Sequence, residues 1–218
     1  LLLHHRRLLL DDLLGVLHLL LHARVGPERL RLRPDLLVLV SAGARAEHVP
    51  DRCAREQQHP HGVAAARVKF HRLRGQHGAF WLQPEDGKYP GAAGNEIDVV
   101  EYFGDRHPQG GLASFMHRYE GKRRIPSGGW IPRSRSFLSS RHDGWSKNYH
   151  VFSVEWTPRQ LVFRIDGKET GRMRGSISAV RQFPILSLIA ANYEIPKIDE
   201  RRLPQHMYVD WVRVWETG

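Results

Sequence analysis

From His61 onward the chain is a succession of short β-like segments separated by turn residues, with no sustained 3.6-residue period. Tyr149–Trp156 (YHVFSVEW) is the clearest, because its alternation places Phe152, Val154 and Trp156 on one face. A turn at Thr157–Gln160 leads into Leu161–Asp166 (LVFRID). Asp166-Gly167 then reads as a hairpin turn, since both central positions of such a turn need positive φ. Val63–Phe70, Ala79–Leu82, Ile97–Phe103, Leu112–Tyr119, Pro184–Ala191 and Met207–Trp215 read as further strands. Pro84, Gly87, Pro90, Gly91 and Gly94 mark a long loop, and 126–147 is rich in Gly and Ser and reads as loop. Short strands of this kind cannot bury their apolar faces singly. They predict an all-β fold, an antiparallel sandwich or barrel, with Trp156, Trp211 and Trp215 at core positions.

Residues 1–60 have a different composition. They contain no Ile, Lys, Asn, Phe, Tyr, Trp, Thr or Met, although each of these appears after residue 60. Asp11 and Asp12 interrupt the leucines that a signal peptide would need unbroken. A helix over Leu13–Leu21 and a strand over Asp35–Val40 are two readings of the segment. A third is an out-of-frame translation joined to the correct frame near His61. The expected organisation is therefore an atypical Leu/Arg/His-rich segment, 1–60, followed by a β-sandwich domain, 61–218.

Charge and cysteine content narrow the function classes. Lys and Arg number 33 against 23 Asp and Glu, a net charge of +10, which fits a nucleic-acid binder, a protein drawn to anionic glycans, or simply a basic surface. No helix-turn-helix, zinc-finger or single-strand-binding signature accompanies the charge, so no nucleic-acid partner is expected. No apolar run of about 18 residues suggests a membrane span. The single Cys53 cannot form an internal disulfide, His71 and His77 lack a third zinc ligand, and no phosphate-cradling glycine loop stands out.

Chemistry concentrates in Glu96-Ile-Asp-Val-Val-Glu101. On a regular strand Glu96 and Asp98 share one face, but Glu101 falls with Ile97 on the other, where an unpaired carboxylate is costly. A one-residue bulge near Val99-Val100 counts two residues as one and returns Glu101 to the polar face. Three carboxyls then line a cleft over an aliphatic anchor. Two of them at about 5–5.5 Å suit retaining glycoside hydrolysis, one as nucleophile and one as acid/base. Crowding raises the pKa of one and keeps it protonated. The pattern alone also describes a solvated acidic edge strand; its place between aliphatics, after a Gly/Pro loop in a basic chain, favours a site.

Gly94-Asn-Glu-Ile-Asp-Val-Val-Glu-Tyr102 resembles the signature of glycoside hydrolase family 16 in its bulge-containing, laminarinase-like form. Gly78–Pro84 (GAFWLQP) looks like that family's Trp-bearing strand, and Val63–Phe70 like the strand before it. His150–Pro158, Phe163–Gly167 and Tyr208–Trp215 are similar to its later strands. The resemblance covers 61–218. It implies a jelly-roll sandwich with a substrate cleft on its concave face, Glu96 as nucleophile, Glu101 as acid/base and Asp98 assisting. It also implies an endo-acting, secreted enzyme on β-1,3- or mixed-linkage β-glucan, with galactan next. No cofactor is required, and the expected form is a monomer in the extracellular space. The alternative is a non-catalytic glycan-binding sandwich, or a remnant disabled by its N-terminus.

Around the triplet, Trp81 is a candidate to stack on a sugar, its aromatic face suiting the C–H face of a pyranose. His117 resembles a family position that reaches the sugar. Trp130 and Trp145 sit in the Gly/Ser-rich loops at 126–147 and are candidates to roof the cleft, and Asn192 to meet a sugar hydroxyl. Asp210 resembles a structural-calcium position of some members, which needs 6–8 oxygen ligands.

Overall fold

A computed structural model of the protein describes residues 61–84, 94–121 and 123–216. The helix and strand expected over Leu13–Leu21 and Asp35–Val40, and most of the Gly/Pro loop, lie outside the described residues. Ten strands follow in order: β1 (Gly62–Lys69), β2 (His77–Pro84), β3 (Asn95–Tyr102), β4 (Leu112–Glu120), β5 (Arg123–Trp130), β6 (His150–Trp156), β7 (Gln160–Ile165), β8 (Lys168–Arg174), β9 (Gln182–Ile189) and β10 (Tyr208–Glu216). They form two antiparallel sheets, ordered β10-β1-β6-β7-β8 and β5-β4-β3-β2-β9. The alternation left a sandwich or a barrel open, and the observed fold is the sandwich that the family resemblance implied. Among the described residues no helix is long and apolar enough to cross a membrane.

The core lies between the sheets. Phe152, Val154 and Trp156 of β6 point into it, as their alternation predicts. Leu161, Phe163 and Ile165 of β7 join them from the same sheet, and small residues on β1 (Ala64, Ala66) leave room for the aromatics opposite. Phe80, Leu82, Ile97, Val100, Tyr102, Leu112 and Met116 close the core from the second sheet. The β7–β8 hairpin turns at Asp166-Gly167 with φ of 48° and 79°, the positive pair that the dipeptide foretells.

Two strands escape the sequence reading. β5 (RRIPSGGW) contains Pro126 and two glycines, and β8 (KETGRMR) has no hydrophobic alternation. Each is an outer strand of its sheet, where a proline costs no ladder bond and neither face must be apolar. Trp211 and Trp215 correct a second expectation. On β10 they pair with Arg67 and Val63, outward positions of β1, so they lie on the outer face and Trp215 is 46% exposed. The residues of the strand that pack against the core are Val209 and Val212 instead.

Candidate active site

The outer face of the second sheet carries the carboxyls, and a bulge on β3 puts them there. Against β2, Phe80 pairs with Val100 and Trp81 with Asp98, so Val99 has no partner and is the extra residue. The ladder with β4 slips at the same place, between Asp98 and Glu101. Ile97, Val100 and Tyr102 are thereby fully buried, while Glu96, Asp98 and Glu101 share the opposite face. The Val99 carbonyl accepts a hydrogen bond of 2.8 Å from Ser114 Oγ on β4, so the bulge leaves no orphan there.

The carboxyls sit in a partly dry environment. Burial is the main cause lifting all three above the ordinary carboxyl range. Repulsion from Asp98 adds to the effect at Glu96 and Glu101, and Glu101 reaches about 8. Arg124 opposes the shift at each, and His117 opposes it at the two glutamates. His117 Nε2 lies 3.1 Å from Asp98 Oδ2 and 4.0 Å from Glu96 Oε1. Its ring is stacked on Phe115 and buried, and burial lowers its pKa. A neutral ring with its proton on Nε2 donates to Asp98.

His77 is a residue the sequence reading missed. Its Nε2 is 3.5 Å from Glu101 Oε1 and its Nδ1 is 3.5 Å from the Tyr193 hydroxyl. Burial pulls its pKa down to about 4, against the pull of Glu194. A neutral imidazole suits either state of Glu101, because one tautomer donates to the carboxylate and the other accepts from the acid. Its signal was parity: His77, Ala79 and Trp81 share a face once the strand is extended by two residues. Arg124 was hidden because β5 reads as loop.

The aromatic candidates divide. Trp81 lies half-buried beside Asp98, with Nε1 3.3 Å from Ser187 Oγ. Trp130 pairs with Ala113, itself the partner of Glu101, and stands on the carboxyl face. There it stacks on His107 at 4.3 Å and meets Phe103 edge-on at 5.1 Å. Trp145 is a correction: only 3% exposed, it packs on His150 and Phe152 in the core, and its carbonyl accepts from Phe70 N. No sugar reaches a ring closed off in this way. Asn192 is exposed in the turn after β9. Asp210 is ion-paired with Arg67. A guanidinium already balances its charge, and among the described residues it joins no cluster of three His, Cys, Asp or Glu ligands. The described residues that bring three such donor atoms within 4.8 Å of one another are Glu96, Asp98 and His117.

Comparison with known proteins agrees with this fold. The sequence model of glycosyl hydrolases family 16 matches residues 50–213, beginning inside the segment of different composition. No curated protein sequence matches the chain. Among solved structures it is similar to the laminarinase catalytic domain from Thermotoga maritima MSB8, with 22% identity, a TM-score of 0.57, and coverage of 75% of this chain and 67% of that one. It is also similar to the endo-β-1,3-glucanase from Pyrococcus furiosus, at 23% identity and TM-score 0.55, covering 72% and 61% of the two chains. A third is SCLam, a non-specific endo-β-1,3(4)-glucanase, at 20% identity and TM-score 0.54, covering 72% and 58%. The chain thus spans about three-fifths to two-thirds of the length of these relatives.

Proposed function

The chain belongs to glycosyl hydrolases family 16, and from that premise we propose that it is a retaining endo-hydrolase of a β-glucan with β-1,3 or mixed linkages. The observation that carries the reading is the Val99 bulge, which aligns Glu96, Asp98 and Glu101 on one outer face. Four ladder steps separate Glu96 from Glu101, a Cα spacing of about 13 Å. Two glutamate side chains reaching toward each other narrow that to the roughly 5 Å of a retaining pair.

Glu96, eased toward ionisation by Arg124, attacks the anomeric carbon. Glu101, the carboxyl pushed highest, holds its proton and passes it to the departing glycosidic oxygen. The resulting Glu101 carboxylate then takes a proton from water, and the oxygen of that water displaces Glu96 from the anomeric carbon. His117 fixes the orientation of Asp98 between them, and Trp81 supplies an apolar floor for one sugar ring. Substrate linkage is proposed by analogy with the glucanases above.

Reducing-sugar release from β-1,3-glucan, mixed-linkage β-glucan and a galactan tests the reading, with the anomer first formed followed by proton NMR. Release of the β-anomer, absent in Glu96→Gln, is expected. Release of the α-anomer would replace the covalent mechanism with inversion, and activity surviving in Glu96→Gln would remove that residue from the mechanism.

A further inference from the structure

A cationic cavity lies apart from the three carboxyls, and none of the residues assigned to cleavage above lines it. It encloses about 240 Å³ where the loop after β1, the loop after β3 and the connection from β9 to β10 converge. Arg72, Arg74, Arg106, Lys197 and Arg202 line it. Two carboxylates border it as well, but both are engaged. Asp105 accepts from the Tyr102 hydroxyl and from Ser146 Oγ at 2.6 Å, and Asp199 is held by Arg201 at 3.0 Å. Lys197 is paired with Glu194. Among the described residues, none of the four arginines has a carboxylate within ion-pair distance.

Arg74 makes the point sharper, because its Nε is closed off from solvent and has no hydrogen-bond partner. Clustered guanidiniums repel one another, and a buried charged donor without an acceptor is costly. An oxyanion entering the cavity relieves both, since the guanidinium fork matches a sulfate or carboxylate. A relay of contacts links the cavity to the site: Lys197 pairs with Glu194, the adjacent residue Tyr193 meets His77, and His77 meets Glu101. Arg74 and Lys197 act electrostatically on His107, whose ring stacks on Trp130 at 4.3 Å. Glu194, which holds Lys197, also accepts from Gly75 N at 3.3 Å and adjoins Tyr193, the neighbour of His77.

We propose that this cavity is an anion subsite beyond Glu101, which takes the sulfate ester or carboxylate carried by a sugar of an acidic β-glycan. The inference rests on the glycan-cleaving reading above and extends it to the substrate's charge. It also gives the net charge of +10 a local role.

The test is calorimetric binding to the full chain carrying Glu96→Gln, which stops turnover. Three oligosaccharides of equal length serve as probes: a neutral β-1,3-glucan, its sulfated form, and one bearing uronate. An anionic probe is expected to bind at least about tenfold tighter than the neutral one, the worth of one charge-assisted hydrogen bond. Whichever anionic probe holds the larger advantage names the substituent. Adding Arg72→Ala, Arg106→Ala and Arg202→Ala, all exposed positions, should abolish that advantage and leave neutral binding unchanged. Removing three exposed cations elsewhere, with Arg141→Ala, Arg159→Ala and Lys168→Ala, should preserve it. Equal affinity for neutral and anionic probes overturns the subsite, as does an equal loss in both triple variants, which would mean net charge alone. Turnover of neutral glucan by the unaltered chain separates the two ideas: activity without anion preference sinks the subsite alone, whereas no glycan binding at all sinks both.

Discussion

At the residue scale the chemistry turns on which carboxyl holds a proton. Glu96 must be ionised and Glu101 protonated, so the two define a bell-shaped rate profile. With Glu96 near 7 and Glu101 near 8, activity should be highest between these values. It should fall below as Glu96 gains a proton and above as Glu101 loses one. Glu96→Gln should lower kcat by about 10³-fold or more. His77→Gln keeps a side-chain amide near Glu101 but cannot exchange tautomers, and should shift the alkaline limb more than KM. An alkaline limb unmoved in His77→Gln would leave His77 a packing residue. The triplet was legible because a carboxylate among aliphatics has few stable places to go. His77 and Trp145 were misjudged because strand parity depends on where a strand starts, and burial depends on what covers a loop.

At the element scale the bulge is held by one hydroxyl, and a close approach seats β5 against β4. Ser114→Ala leaves the Val99 carbonyl without its partner, a loss of about 1–3 kcal/mol. The thermal midpoint should fall by about 2–4 °C for each kcal/mol. Gly128 on β5 faces Phe115 with φ of 102°, and a Cβ there would lie 2.3 Å from the Ser114 carbonyl oxygen. Gly128→Ala should therefore cost about 2 kcal/mol or more, read as a lower melting temperature. A wild-type melt in either variant would mean that β4 and β5 have room to part. The bulge itself was predictable from the sequence, since only an extra residue reconciles Glu101 with Ile97. The polar outer strands β5 and β8 were not, because strands that need no buried face carry no alternation.

Across the whole molecule, buried titrating groups pull stability in opposite directions with pH. The three site carboxyls are raised, so the folded state binds more protons than the unfolded state. Stability from that source falls as pH rises from about 4 to 8. His150, raised chiefly through Asp166 despite its burial, has the same sign: its contribution is present below pH 6.5 and lost above. His71 and His77 are lowered to about 4, so the unfolded state binds their protons first and stability falls as pH drops from 6.5 to 4. Among the described residues the opposing contributions offset one another between about pH 4.5 and 6.5, and the carboxyls and His150 act between 6.5 and 8. The melting temperature should therefore fall across that upper interval. Glu96→Gln, Asp98→Asn and Glu101→Gln together should remove most of the fall, at the expense of activity. A melt flat from pH 6.5 to 8 in the unaltered chain would mean the carboxyls are not desolvated.

By itself the sequence determined an all-β fold, the bulged strand and the three carboxyls on it, because alternation and the cost of burying charge are local consequences of residue order. Tertiary structure decided which aromatic rings face the carboxyls and which fill the core. It turned Trp211 and Trp215 outward through β10's register with β1, and it brought His77 to Glu101. It also gathered arginines from three separate connections around one cavity. Those outcomes depend on pairing between residues far apart in the chain, and no local periodicity encodes which distant strand will lie alongside.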